Sequence, residues 1–228
     1  MKRHSLLVLS FFSLLLLLWS GLGMQAHADS SGKKRIAILG DSITYAGNWV
    51  NEVENTLKAD KKFAAYEIVN FGVPSETVAG LSEHGHAGGR FPRPCLHERL
   101  DRVLKMYHPQ LILACYGMND GLMQPFDEAR FRAYQEGNMS LKAAADAARA
   151  TIVFITPPLF QGDSAEQAVY DAVLDRYAEW LVSKRKDGWK VIDIRPGLRK
   201  SIAGEKAKDP GFRYSGDGVH PGPEGHHM

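Results

Sequence analysis

From Lys34 onward, short dense apolar runs alternate with longer segments whose apolar residues recur every three or four positions. The runs occupy residues 35–39, 66–71, 111–116, 151–156 and 190–194, and consist mainly of Ile, Val, Leu, Phe and Ala without strict alternation. That pattern predicts strands covered by helices on both faces. In the clearest intervening segment, Val169, Ala172, Val173, Tyr177, Trp180 and Leu181 share one helical face, and Asp171, Asp175, Arg176, Glu179 and Lys184 fill the other. Further helices are expected over residues 127–149, broken near Gly137-Asn138, and over 49–59 and 95–107. Strand-helix-strand repeated with right-handed crossovers implies an α/β protein, a parallel sheet between two helical layers in a three-layer α/β/α sandwich.

The first residues follow a different pattern. A basic start (Lys2, Arg3, His4) precedes a nearly unbroken apolar run from Leu6 to Trp19, and Ala26-His27-Ala28 then offers small residues at cleavage-determining positions. Residues 1–28 therefore resemble a secretory signal peptide, and the mature protein is expected to begin near Asp29 and to be periplasmic or extracellular. The run is shorter than the ~20 residues that span a bilayer, so no stable membrane insertion is expected after cleavage. Export also changes the charge balance. Of 28 Lys and Arg, two lie in the leader, which leaves 26 against 26 Asp and Glu. A neutral surface gives no electrostatic case for nucleic acid. Residues 29–228 suit one domain, since no Pro/Ser linker or repeat divides them. Pairing of the two cysteines, Cys95 and Cys115, stays open, as does the oligomeric state.

In parallel sheets of this kind ligands bind beyond the carboxyl ends of the strands. Those positions hold Gly40-Asp41-Ser42-Ile43-Thr44, Asn70-Phe71-Gly72 and Gly117-Met118-Asn119-Asp120, and near the end stands Asp217-Gly218-Val219-His220-Pro221. The set suffices for acyl transfer. A serine hydroxyl needs a base, and the base needs an acceptor to hold its tautomer; Ser42, His220 and Asp217 fit those roles. An oxyanion needs preorganised donors, for which the Ser42 and Gly72 N–H groups and the Asn119 amide are candidates.

On these four blocks the chain resembles the SGNH (GDSL-type) hydrolase superfamily, from about Arg35 to Gly225. The resemblance implies a flavodoxin-like sheet of five parallel strands in order 2-1-3-4-5, Ser42 as nucleophile, His220 as base, Asp217 as its partner, and ester hydrolysis without metal or cofactor. Three departures stand out. Ile43 replaces the Leu of the older family name, a mild apolar exchange. Pro74-Ser75-Glu76-Thr77 stands where many relatives have a Gly-Asp or Gly-Glu turn. The family also places a helix after the His-Pro block, which residues 225–228 can begin and cannot complete, so a C-terminally incomplete domain is expected.

The glycine-rich stretch 83–94 carries His84 and His86 without a third ligand, so it reads as a solvated loop and not as a metal site. Its Arg90, Phe91 and Arg93 are candidates to wall the pocket and bind an acidic or hydroxylated substrate group. Tyr45 is a candidate stacking surface for a sugar, with Trp49 one turn on assigned to the core. The expected activity is an exported serine esterase removing short acyl groups, foremost O-acetyl, from a carbohydrate or other small-molecule ester. Alternatives are a lysophospholipase or thioesterase on longer chains, and a carbohydrate-binding module on a degenerate hydrolase scaffold.

Overall fold

The computed structural model describes residues 34–161 and 165–228. The expected signal peptide lies outside them. Along the chain run β1 (Arg35–Gly40), α1 (Ser42–Tyr45), α2 (Asn48–Ala59), β2 (Glu67–Asn70), α3 (Leu100–Tyr107), β3 (Leu111–Cys115), α4 (Glu128–Ala147), β4 (Thr151–Ile155), α5 (Ala165–Ser183), β5 (Lys190–Ile192), α6 (Arg195–Lys208) and the short α7 (Pro223–His226). The five strands pair in parallel in the order β2-β1-β3-β4-β5, as the resemblance implied.

Successive strand residues point to opposite faces, and this divides the core. On one face Ala37, Leu39, Ile112, Ala114, Ile152 and Phe154 pack with Leu141, Tyr134, Leu174 and Tyr177 of α4 and α5. On the other, Ile36, Ile38, Leu111, Leu113, Val153 and Ile155 pack with Val50, Val53 and Leu57 of α2. Every one of these strand residues is buried, which is why their sequence shows dense apolar runs in place of alternation.

Two helices differ from expectation. α4 runs through Gly137 without a break. A side chain there would put its Cβ 2.1 Å from the Val78 carbonyl, so the glycine lets a loop cross the helix closely. Within residues 95–107, a 3₁₀ turn at Leu96–Glu98 precedes α3, and Arg99 between them leaves helical geometry. α6 was not anticipated. No helix among the described residues is long and apolar enough to cross a membrane. Cys95 and Cys115 are both free thiols, Cys115 buried in β3 with its pKa pushed well up by burial.

Candidate active site

Loops leaving the sheet's carboxyl edge after β1, β2 and β3, and the turn that follows α6, contribute to one cluster. β1 ends at Gly40, and Asp41 caps α1 by accepting the Ile43 N–H at 3.0 Å, which sets Ser42 at the first helical position. Ser42 Oγ lies 2.8 Å from His220 Nε2, although 178 positions separate them in sequence. On the other side of the ring, His220 Nδ1 lies 2.6 Å from Asp217 Oδ2. Hydroxyl, imidazole and carboxylate therefore touch in series.

The chemistry of the groups decides where the protons sit. Asp217 Oδ1 already accepts the N–H groups of Val219 (2.9 Å) and His220 (2.8 Å) and the Ser215 hydroxyl (3.0 Å). Partial burial works against its charge, but the His220 ring, these backbone donors and Ser215 outweigh it and hold the carboxyl well below the usual carboxylate range. An ionised carboxylate only accepts, so His220 carries its proton on Nδ1 and offers Nε2 as acceptor to Ser42. The turn is pinned to the end of the β4 connection by Gln161, whose N–H donates to Gly218 O (2.8 Å) while its side chain accepts the Ser215 N–H (3.1 Å).

The loop after β2 packs against α1. A Cβ on Gly72 would lie 2.3 Å from Tyr45 N, so glycine allows this chain to pass over α1. The Gly72 N–H donates to Asn70 Oδ1 at 2.8 Å, and Asn70 Nδ2 in turn donates to Thr44 O at 2.7 Å. Gly72 thus joins the two loops, with its N–H already engaged. Beyond it, Glu76 N–H closes a turn on Val73 O around Pro74 and Ser75, and Ser75 takes a φ of 64°. That conformation is uncommon for a residue with a side chain. Among the described residues, neither the Ser42 nor the Ser75 N–H has a protein acceptor.

Asn119 follows β3 in a loop opened by Gly117, whose φ of 131° suits only glycine. Its Nδ2 donates to Glu76 O (3.3 Å) and its Oδ1 accepts from Arg93 Nη1 (2.9 Å). Below it, the Glu76 carboxylate is buried against Arg99 (Nε 2.6 Å) and the Tyr116 hydroxyl (2.5 Å). Asp120 braces the loop that crosses α4, accepting the Ala79 N–H at 2.8 Å. Burial pushes Asp41 up to about 6 and Asp120 up to about 7, the Ile43 and Ala79 N–H groups respectively opposing it.

The remaining candidates divide. Tyr45 and Phe91 are exposed, whereas Trp49 packs against the core as assigned. Arg90 is exposed. The Arg93 guanidinium is turned inward, bound through Nε and Nη2 to both Glu83 oxygens (2.7 and 2.8 Å) and through Nη1 to Asn119. Sequence reasoning missed Ser215, Gln161 and the inward course of Arg93. Only Ser215, two residues before Asp217, lay close enough along the chain to be noticed.

The arrangement can pass a proton from a hydroxyl to an imidazole and present amide N–H groups beside it. The family described as GDSL-like lipase/acylhydrolase matches residues 38–228. No curated protein sequence matches the chain. Among solved structures, a catalytic mutant of an acetylxylan esterase from Geobacillus stearothermophilus is 18% identical, with a TM-score of 0.63, covering 85% of this chain and 89% of that one. The same enzyme in another crystal structure gives 19% identity and a TM-score of 0.61 over the same shares. A gut microbial diltiazem-metabolizing enzyme is 19% identical with a TM-score of 0.63, covering 85% of this chain and 44% of that one.

Proposed function

Since the chain belongs to the GDSL-like lipase/acylhydrolase family and is a serine carboxylic-ester hydrolase, we propose that it is an exported esterase acting on short acyl esters, foremost O-acetyl groups of a carbohydrate, through Ser42, His220 and Asp217. The observation that carries the mechanism is the unbroken contact from Ser42 Oγ through His220 to Asp217 Oδ2.

In acylation, His220 Nε2 takes the Ser42 proton as Oγ bonds to the ester carbonyl carbon, and Asp217 stabilises the imidazolium that results. The carbonyl oxygen becomes an oxyanion facing the Ser42 N–H and Asn119 Nδ2. With the Gly72 N–H engaged by Asn70, these two donors bear the larger share. Collapse expels the alcohol, which takes the proton from His220. Water then repeats the sequence on the acyl-enzyme, giving the free acid and restoring the Ser42 hydroxyl.

Support for a carbohydrate ester comes from the exposed Tyr45 and Phe91, which offer flat apolar surface, and from the acetylxylan esterase of like fold. Support for export comes from the Leu6–Trp19 run and Ala26-His27-Ala28. The test compares acetyl and decanoyl p-nitrophenyl esters, followed by acetate release from acetylated xylan. The expected result is turnover of the acetyl ester with the decanoyl ester strongly disfavoured, and acetate release lost in Ser42→Ala. Preference for the decanoyl ester would favour a long-chain lipase; glycan binding without turnover would favour a binding module.

A further inference from the structure

Asn119 is placed by β3, but its amide plane is set by neighbours that come from elsewhere in the chain. A carboxamide has two ends of similar shape and opposite chemistry, and only one orientation presents N–H to an oxyanion. Arg93 Nη1 faces one end at 2.9 Å and the Glu76 carbonyl faces the other at 3.3 Å. A guanidinium only donates and a carbonyl only accepts. The turned-over amide would set N–H against N–H and oxygen against oxygen, and would aim a lone pair at the developing negative charge.

Arg93 is in turn immobilised. Its fork binds both oxygens of Glu83, a bidentate pairing that fixes plane and direction together. The His86 ring lies 3.2 Å from the same Glu83 carboxylate, and the Arg93 N–H donates to Ser82 Oγ at 2.9 Å. The Arg93 side chain is 8% exposed. Burial acts against the Glu83 charge, and Arg93 more than offsets it, holding the carboxyl at about 2. The pair therefore stays ionised throughout the range where an esterase works. The loop that carries it is closed at its base by Thr77 and Cys95, which pair as an isolated bridge.

We propose that Arg93, clamped by Glu83, is a positioning residue that locks the Asn119 carboxamide with Nδ2 toward the oxyanion, so that the 83–93 loop tunes turnover without touching substrate through this side chain. The proposal rests on the reading of Asn119 as an oxyanion donor. It gives the inward guanidinium a task other than substrate binding, which falls instead to the exposed members of the loop.

The test measures kcat and KM on p-nitrophenyl acetate for Arg93→Ala, Arg93→Lys, Glu83→Gln, Asn119→Ala and the Arg93→Ala/Asn119→Ala double variant, with thermal melts to confirm folding. Arg93→Ala is expected to lower kcat ~10–100-fold, less than the ~10²–10³ for an oxyanion donor itself, with KM nearly unchanged. Added guanidinium ion, kept below denaturing levels, restores part of the loss. Lys does not, having no fork with which to hold Glu83 and Asn119 together. In the Asn119→Ala background the Arg93 change costs almost nothing further. Glu83→Gln, which keeps the loop's shape, gives a smaller loss of the same kind.

A second readout needs no turnover. The Asn119 side-chain amide resonances, identified by their loss in Asn119→Asp, shift and broaden in Arg93→Ala and recover with guanidinium. An inactive wild type would refute the esterase reading, while the amide resonances would still decide whether Arg93 sets the carboxamide. Unmoved resonances, a rise in KM with kcat intact, or an equal loss with and without Asn119 would overturn the proposal.

Discussion

The side chains of Asp217 and His220 are 58% and 48% exposed, whereas Asn119 is 5% exposed and its neighbours Glu76 and Asp120 are 1% and 0%. The proposed proton-handling half of the site is a surface turn held by hydrogen bonds between residues two or three positions apart, with Gln161 as its tether. The proposed oxyanion half is tied into the core by bonds that span long stretches of chain, from Arg93 and Glu76 to Asn119 and from Ala79 to Asp120. The difference has a physical basis. A base must exchange protons with water and leaving group, so it gains from exposure. A donor for developing charge is strongest where water is excluded and where it need not reorganise.

Substitutions should therefore separate the halves. The largest effect is expected from His220→Ala, which should lower kcat by ~10⁴–10⁶ and leave Tm within about 2 °C, because an exposed side chain outside the core carries only ~0.5 kcal/mol. Wild-type rates with a collapsed Tm would reverse the assignment. Asn119→Ala should act on both quantities, with kcat lower by ~10²–10³ and stability lower by ~1–3 kcal/mol, since it strips the Arg93 and Glu76 groups of a buried partner. A pure stability loss at full turnover would place Asn119 outside the chemistry.

A third effect, on stability alone, sharpens the same contrast through pH. Asp120 is held at about 7 and Asp41 at about 6 by burial, above the ~3.9 of an unfolded Asp. Between these values the unfolded chain is ionised while the folded one keeps its protons, so the stability tied to the protonated form is present below pH ~4 and lost as pH rises through 6 to 7. Asp120→Asn preserves the acceptor for the Ala79 N–H and removes one titration. Its stability relative to wild type should climb from pH 4 to pH 8, by an amount on the order of 4 kcal/mol, read as a rising Tm difference. Asp217, whose pKa is depressed, contributes the opposite slope at acid pH, and Asp217→Asn should flatten that limb. Melting curves across pH for the two variants check both signs.

The proton-handling half was the more legible in sequence, because Asp217 and His220 are near neighbours and Ser42 follows a recognisable strand. The five apolar runs likewise marked every strand; β1, β3 and β4 are almost wholly buried, whereas the edge strand β2 is only half-buried and so not covered on both faces as its run predicted. The expected break in α4 is absent, because Gly137 stands in the helix where the Val78 carbonyl crosses it, a tertiary contact with no local signal. α6 escaped notice because Pro196, Gly197 and Gly204 weaken its pattern and its buried anchors are few, among them Arg195, which binds Asp171 and Asp175 of α5. Arg93 could not have been placed from sequence. It lies 26 positions from Asn119 on an irregular loop, and no periodicity states whether a loop cation points to water or inward.

Labelling with a fluorophosphonate tests the central claim most directly, because it requires the hydroxyl, base and oxyanion donors to act together. Peptide mass mapping of the labelled protein is expected to find one phosphonyl adduct, on Ser42, with labelling lost in Ser42→Ala and strongly slowed in His220→Ala. An unlabelled Ser42 in folded protein, or equal labelling with and without His220, would contradict the account.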